Sequence, residues 1–178
     1  MSYDGFVTHS VVHELNGKIL GGKIDKIYQP ESDEIIISVR TFDGNYRLLL
    51  SASASNARVH LTTSKRENPM TPPMLCMLMR KHLLGGKIIG IEQVDVDRII
   101  SEIMGRHSNI IFIDENNKIL DSAKHVDFTV SAVRQILPGF VYQLPPKQEK
   151  MSPKEFSLLD FINDFTKEDK DILLDKFL

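Results

Sequence analysis

The sequence predicts an α+β fold, rich in antiparallel strands and flanked by helices, running into the start of a helical module. Three observations predict it. Lys23–Gln29, Glu34–Thr41 and Asn45–Ser51 read as strands, the last two separated by Asp43-Gly44, a strong hairpin signal. Residues 6–20 and 74–84 instead space their apolar residues for a helix. From Ser152 onward the helical spacing takes over.

Taken in order, Phe6, Val7, Val11, Leu15 and Ile19 line one side of a helix over 6–20. Asp4 is placed to cap it by accepting from the first free backbone amides, and Gly21-Gly22 stops it. Lys23–Gln29 reads as a strand, Pro30–Asp33 as a turn, and Glu34–Thr41 as a strand whose Ile35, Ile36 and Ile37 suit a buried sheet. Asn45–Ser51 returns as its partner, and Ala57–Leu61 adds a short strand. A polar loop over 62–71 carries Lys65 and Arg66. Thr71 and Pro72 open a helix as N-cap and first helical residue, and Gly85-Gly86 closes it after Leu84. Its methionines and leucines read as core rather than as an adaptable groove.

Ile91–Ile100 reads as a further strand, with Asp97 and Arg98 on opposite faces. A bulge or strand end near Asp97 would let both project from one rim. Ser108–Asp114 and Lys118–Ser122 are strands joined by the Glu115–Asn117 turn. Val130–Ile136 is a short strand or extended segment before the Leu137-Pro138-Gly139 turn. A linker over 147–151 follows a domain of residues 1–146. Ser152-Pro153-Lys154-Glu155 has capping-box spacing, and the apolar pattern is still running at Leu178, as in a truncated helical region over 152–178.

Composition narrows the function. The 178 residues, 42% hydrophobic and 26% charged, fit a soluble globular domain. No secretory pattern follows Met1, no apolar run approaches the roughly 20 residues of a membrane span, and Cys76 stands alone. A reducing, cytoplasmic home fits best. The net charge of −2 excludes a uniformly basic coat, but residues 1–107 carry +1 and residues 108–178 carry −3. Arg58, Lys65, Arg66, Arg80, Lys81 and Lys87 face a single acid, Glu67, between residues 56 and 90. Such a stretch attracts phosphates; equally, Arg80, Lys81 and His82 suit the negative end of a helix dipole. Arg106 and His107, beside Gly105, read either as a charged helix end or as a nucleic-acid contact. His9 and His13 have i, i+4 spacing, but zinc wants three or four ligands, so no metal is expected. No phosphate loop, nucleophile elbow or HExxH pattern occurs, and no cofactor is implied.

Several stretches together carry a resemblance. They include Met-Ser-Tyr-Asp-Gly at 1–5, Ile-Tyr-Gln-Pro at 27–30, Leu-Leu-Leu-Ser-Ala at 48–52 and Ala-Arg-Val-His-Leu at 57–61. Pro-Pro-Met-Leu-Cys-Met-Leu-Met-Arg-Lys-His-Leu at 72–83, Asp-Arg-Ile at 97–99, Glu-Ile-Met-Gly-Arg-His-Ser-Asn-Ile at 102–110 and Lys-His-Val at 124–126 continue the series. Colinear from Met1 to about Pro146, the chain resembles the N-terminal (NFACT-N) domain of the fibronectin-binding protein A family, which includes the ribosome-quality-control factor RqcH.

The resemblance implies antiparallel sheets in a sandwich or barrel-like arrangement, similar to the N-domain of formamidopyrimidine-DNA glycosylases. Those enzymes attack through an N-terminal proline amine; Met1-Ser2 offers none, so glycosylase chemistry is not expected. The resemblance further implies a factor that binds tRNA (alanyl-tRNA) and the large ribosomal subunit carrying an obstructed nascent chain. It would promote template-free alanine tailing while the ribosome makes the peptide bond. Asp97 and Arg98 match the family pair at the tRNA-binding surface, with Arg106, His107 and Asp4 as further tRNA candidates. Arg58, Lys65, Arg66, Arg80 and Lys81 are the candidate phosphate contacts. The alternative is an adhesin binding fibronectin or fibrinogen, for which no export signal is visible. One departure stands out. A family segment of roughly 15–25 residues has no counterpart between Ile100 and Ser101, and mobility at exposed hairpins favours disorder over deletion.

Overall fold

A computed structural model describes residues 5–94, 108–131 and 134–145. The chain divides into two units, Met1–Leu144 and Pro145–Leu178, and the described residues other than Pro145 lie in the first. Its elements are α1 (Gly5–Ile19), β1 (Lys23–Glu31), β2 (Glu34–Arg40), β3 (Asn45–Ser51), β4 (Arg58–Leu61), α2 (Met74–Leu83), β5 (Ile111–Ile113) and β6 (Ile119–Ser122). The first four strands form an antiparallel meander in the order β1-β2-β3-β4, and β5 pairs with β6. The class is α+β, as expected, and among the described residues neither sheet closes into a barrel.

Strand alternation sorts the larger sheet into two faces. Ile24 and Ile27 of β1, Ile35, Ile37 and Val39 of β2, Leu48 of β3 and Val59 of β4 point into one core. There they meet Leu15 and Ile19 of α1, Leu75, Cys76 and Met79 of α2, and Ile110 beside β5. The buried stripe of α1 is Thr8, Val12, Leu15 and Ile19, not the expected one through Phe6, Val7 and Val11. Counting back from Ile19 by four, three and four residues gives that stripe, so the two residues anchored in the core set the rotation. Phe6 is left exposed.

Two boundaries also move. The expected cap at Thr71-Pro72 is not formed: α2 begins at Met74, with Pro73 in the N-cap position and no side-chain cap. Instead, the amide of Cys76, in the first turn, donates to Gln29 Oε1 on β1 at 3.1 Å, so a neighbouring strand supplies the missing acceptor. Residues 91–94 do not join a sheet ladder. Ile91 O accepts from Asn16 Nδ2 at 2.7 Å, and Gln93 Nε2 donates to Gly5 O at 3.0 Å, so α1 captures this stretch. The edge of β1 is covered by the 85–88 turn, through Gly85 N to Ile24 O and Ile24 N to Gly86 O.

Candidate nucleic-acid interface

The outer face of the four-stranded sheet is built by the other half of the strand alternation. The register aligns Tyr28, Ile36, Leu49 and His60 in one row across it. Glu34, Ser51 and Arg58 form the row on one side, and Lys26, Ser38 and Arg47 the row on the other, with Arg40 opposite Asn45 beyond. Ile36 and Leu49 are buried. Toward the β2–β3 hairpin the face opens: Lys26, Arg40 and Asn45 are exposed, Ser38 and Arg47 half-buried.

β4 and β1 are opposite edges of this sheet, and α2 lies along β1. The 62–73 segment must therefore pass from one edge to the other. Arg66 fixes the route, because its Nε sits 3.3 Å from the buried Glu34 carboxylate on the outer face. This contact engages one N–H of the guanidinium fork and balances part of its charge. Lys65 is exposed on the same crossing.

Arg58 Nε donates to His60 Nε2 at 3.1 Å, and His60 Nδ1 lies 2.8 Å from the carbonyl of Leu61. These two bonds together require the neutral ring with its proton on Nδ1. Arg80 is turned inward: its Nε donates to Ile27 O at 2.8 Å and its guanidinium carbon lies 6.0 Å from the Tyr28 ring. Its neighbour Lys81 points to solvent. The expected basic patch is thus split. Arg58, Lys65 and Arg66 belong to the outer face and its crossing segment, whereas Arg80 braces α2 against β1 and Lys81 stands on the helix surface. Asp4, Asp97, Arg98, Arg106 and His107 lie outside the described residues.

Three cations on the outer face, Lys26, Arg40 and Arg47, did not stand out in the sequence, because they are spread over three strands. Their signal was the strand alternation itself, which places a polar residue at each of those positions.

A second constellation joins three family-like stretches. Asn109, 2% exposed, donates from Nδ2 to Lys124 O at 2.7 Å, while its Oδ1 accepts from Lys124 N and Ile110 N at 2.9 Å. Lys124 Nζ donates to Ala52 O at 2.5 Å and Ser108 O at 2.9 Å. The ammonium thereby ties the end of β3 to the entry of β5. Next along the chain, His125 Nε2 lies 2.8 Å from Asp121 Oδ1 in an open cleft lined also by Gln29, Pro30, Pro73 and Met74. The adjacent Ser122 hydroxyl donates to Lys124 O at 2.9 Å. It points away from a nucleophile's role, and the pair is read as structural.

With this geometry in place, comparison with known proteins assigns the class. The fold is an α+β arrangement whose larger sheet carries several cations on its outer face. The chain matches the NFACT N-terminal and middle domains over residues 4–101 and 99–178. It belongs to that family. The "Rqc2 homolog RqcH" of Bacillus subtilis (strain 168) is 46% identical over 182 residues, covering 91% of this chain and 32% of that protein. The human "Ribosome quality control complex subunit NEMF" is 28% identical over 130 residues, covering 70% of this chain and 12% of that protein. The N-terminal part of the fibronectin/fibrinogen-binding protein from Streptococcus suis superposes with a TM-score of 0.85 at 36% identity, covering 94% of this chain and 70% of that one. The chain spans about a third of the length of its bacterial RqcH relative. Its relatives are thus ribosome-quality-control factors. Among the described residues no helix is long and apolar enough to cross a membrane.

Proposed function

We propose that this chain is the N-terminal part of an RqcH-like factor acting in the cytoplasm. It binds tRNA and the large ribosomal subunit carrying an obstructed nascent chain, and so promotes template-free alanine tailing. The observation that carries this reading is the 46% identity to the Bacillus subtilis RqcH homologue across almost the whole chain. The cationic outer face supports an RNA partner.

In this reading Arg98 offers a rigid fork of donors to a phosphate or a base edge, and Asp97 orients it or accepts from an exocyclic amine. Arg106, His107 and Asp4 complete the tRNA contact. Arg58, Lys65 and Arg66 add sequence-independent attraction for phosphate, and Lys81 adds to it from the surface of α2. The ribosome makes the peptide bond, and the chain acts as a positioning factor rather than an enzyme. Residues 1–146 form the binding domain, 147–151 a linker and 152–178 the opening of a helical module. The interruption at Ile100–Ser101 is supported by the two family matches meeting at residues 99–101.

The test is to fractionate cells, purify the protein from each fraction and sequence the RNA that comes with it. Enrichment of alanine tRNA and large-subunit ribosomal RNA in the cytoplasmic fraction is expected. Recovery at the cell surface without either RNA would overturn the reading in favour of a fibronectin- or fibrinogen-binding adhesin.

A further inference from the structure

We propose that the hairpin end of the outer sheet face is a binding platform for unpaired RNA, with phosphates on Lys26, Arg40 and Arg47 and a base stacked on Phe42. This rests on the RNA-binding reading above and assigns it residues other than Asp97 and Arg98.

The register places Lys26 and Arg47 on either side of Ser38 in one row, and Arg40 one step further along β2 toward the hairpin. Neighbouring strands lie about 4.8 Å apart, and same-face residues along a strand about 6.7 Å apart. The three cations therefore sit on a grid roughly 10 Å across, within one Debye length at moderate salt. No carboxylate among the described residues forms an ion pair with any of them. Like charges gathered on one face repel, so the arrangement is relieved when a polyanion lies across it.

Phe42 supplies the second half. It stands fully exposed at the tip of the β2–β3 hairpin, directly after Arg40 and Thr41. Thr41 N donates to Gly44 O at 2.8 Å, and the Thr41 hydroxyl lies 3.1 Å from the same oxygen, so the tip is held in a closed turn. An exposed aromatic ring on a closed turn next to a cationic grid is the pairing that stacks an unpaired base while cations follow its backbone. Asn45, opposite Arg40, and Ser38 offer hydrogen bonds at the same level. A lipid surface fits less well: the tip carries one apolar side chain, too little apolar area to insert into a bilayer boundary.

The experiment measures binding of the chain to tRNA and to unstructured oligouridine by fluorescence anisotropy between about 50 and 200 mM salt. The triple variant Lys26→Ala/Arg40→Gln/Arg47→Gln is expected to lower the log–log salt slope by about two for oligouridine. Phe42→Ala is expected to weaken oligouridine binding about five- to a hundredfold with the slope unchanged. Arg40→Lys/Arg47→Lys, which keeps the charge, should retain the slope and separates a charge effect from a folding defect. An unaltered slope in the triple variant, no oligouridine binding by the parent chain, or retention on phosphatidylserine vesicles that Phe42→Ala abolishes while RNA binding is untouched would each overturn the platform. Loss of tRNA binding in Arg98→Ala with oligouridine binding intact keeps the two surfaces separate. Oligouridine binding without any tRNA binding would leave the platform standing and remove the tRNA reading.

Discussion

Asn109→Ala is the substitution through which the knot between the two sheets can be weighed. It deletes one donated and two accepted hydrogen bonds, at 2.7, 2.9 and 2.9 Å, from a side chain that is 2% exposed. Each such bond contributes about 0.5–1.5 kcal/mol net, and each buried backbone group left without a partner costs about 1–3 kcal/mol. Water entering the space left by the amide recovers part of the second term. The balance is a loss of about 3 kcal/mol, a large share of the roughly 5–15 kcal/mol that holds a domain folded. Urea unfolding should show the midpoint falling with the slope m unchanged, and the melting temperature should drop by roughly 10 °C. Asn116→Ala, at an exposed turn position, is the control and should stay within about 0.5 kcal/mol of the parent. If Asn109→Ala lost less than about 1 kcal/mol, the bonds to Lys124 would be incidental, and Asn109 would not be what holds Lys124 in place to tie the end of β3 to the entry of β5.

The remaining expectations follow the same reasoning. Arg98→Ala should weaken tRNA binding by about 1–3 kcal/mol with the melting transition nearly unchanged; an equal loss of fold and binding would make Arg98 structural. Neutralising Lys65, Arg66 and Arg80 should lower the salt dependence of RNA binding, with Lys65 contributing most, since Arg66 is paired with Glu34 and Arg80 is bonded to Ile27 O. Single-variant salt titrations in which Arg80 dominates would contradict that order. Gly22→Ala should destabilise by about 1–3 kcal/mol, because an added Cβ runs into Val39 and lies 2.9 Å from Ile19 O and Thr41 Cγ2; calorimetry would measure it. Burial pushes the Cys76 thiol up, with the Arg80 charge opposing it. The unfolded chain then gives up that proton first, so this group's contribution to stability is present below the ordinary thiol range and falls as pH rises through it. Alkylation of Cys76 by iodoacetamide should accordingly track global unfolding, and rapid labelling of the native chain would refute its burial.

The sequence by itself settled the elements with local causes. Asp43-Gly44 made the β2–β3 hairpin legible, with Asn45–Ser51 bounded as expected and β2 ending at Arg40, one residue short of the expected Thr41. Gly21 and Gly85 take the positive φ angles of 74° and 81° that close helices. The family was legible too, because its motifs combine rare residue types in order. Tertiary structure decided what depends on neighbours distant in the chain. The α1 stripe was set by the core through Leu15 and Ile19, and the start of α2 by Gln29, a residue 47 positions away. Residues 91–94 had strand alternation, yet they bond to α1 instead, with Asn16 Nδ2 donating to Ile91 O and Gln93 Nε2 to Gly5 O. The basic patch read as one block in the chain, but the sheet register and the crossing of 62–73 divided it and joined part of it to Lys26, Arg40 and Arg47. Local pattern fixes which way a side chain points from its own strand; only the pairing of strands decides which other charges it stands beside.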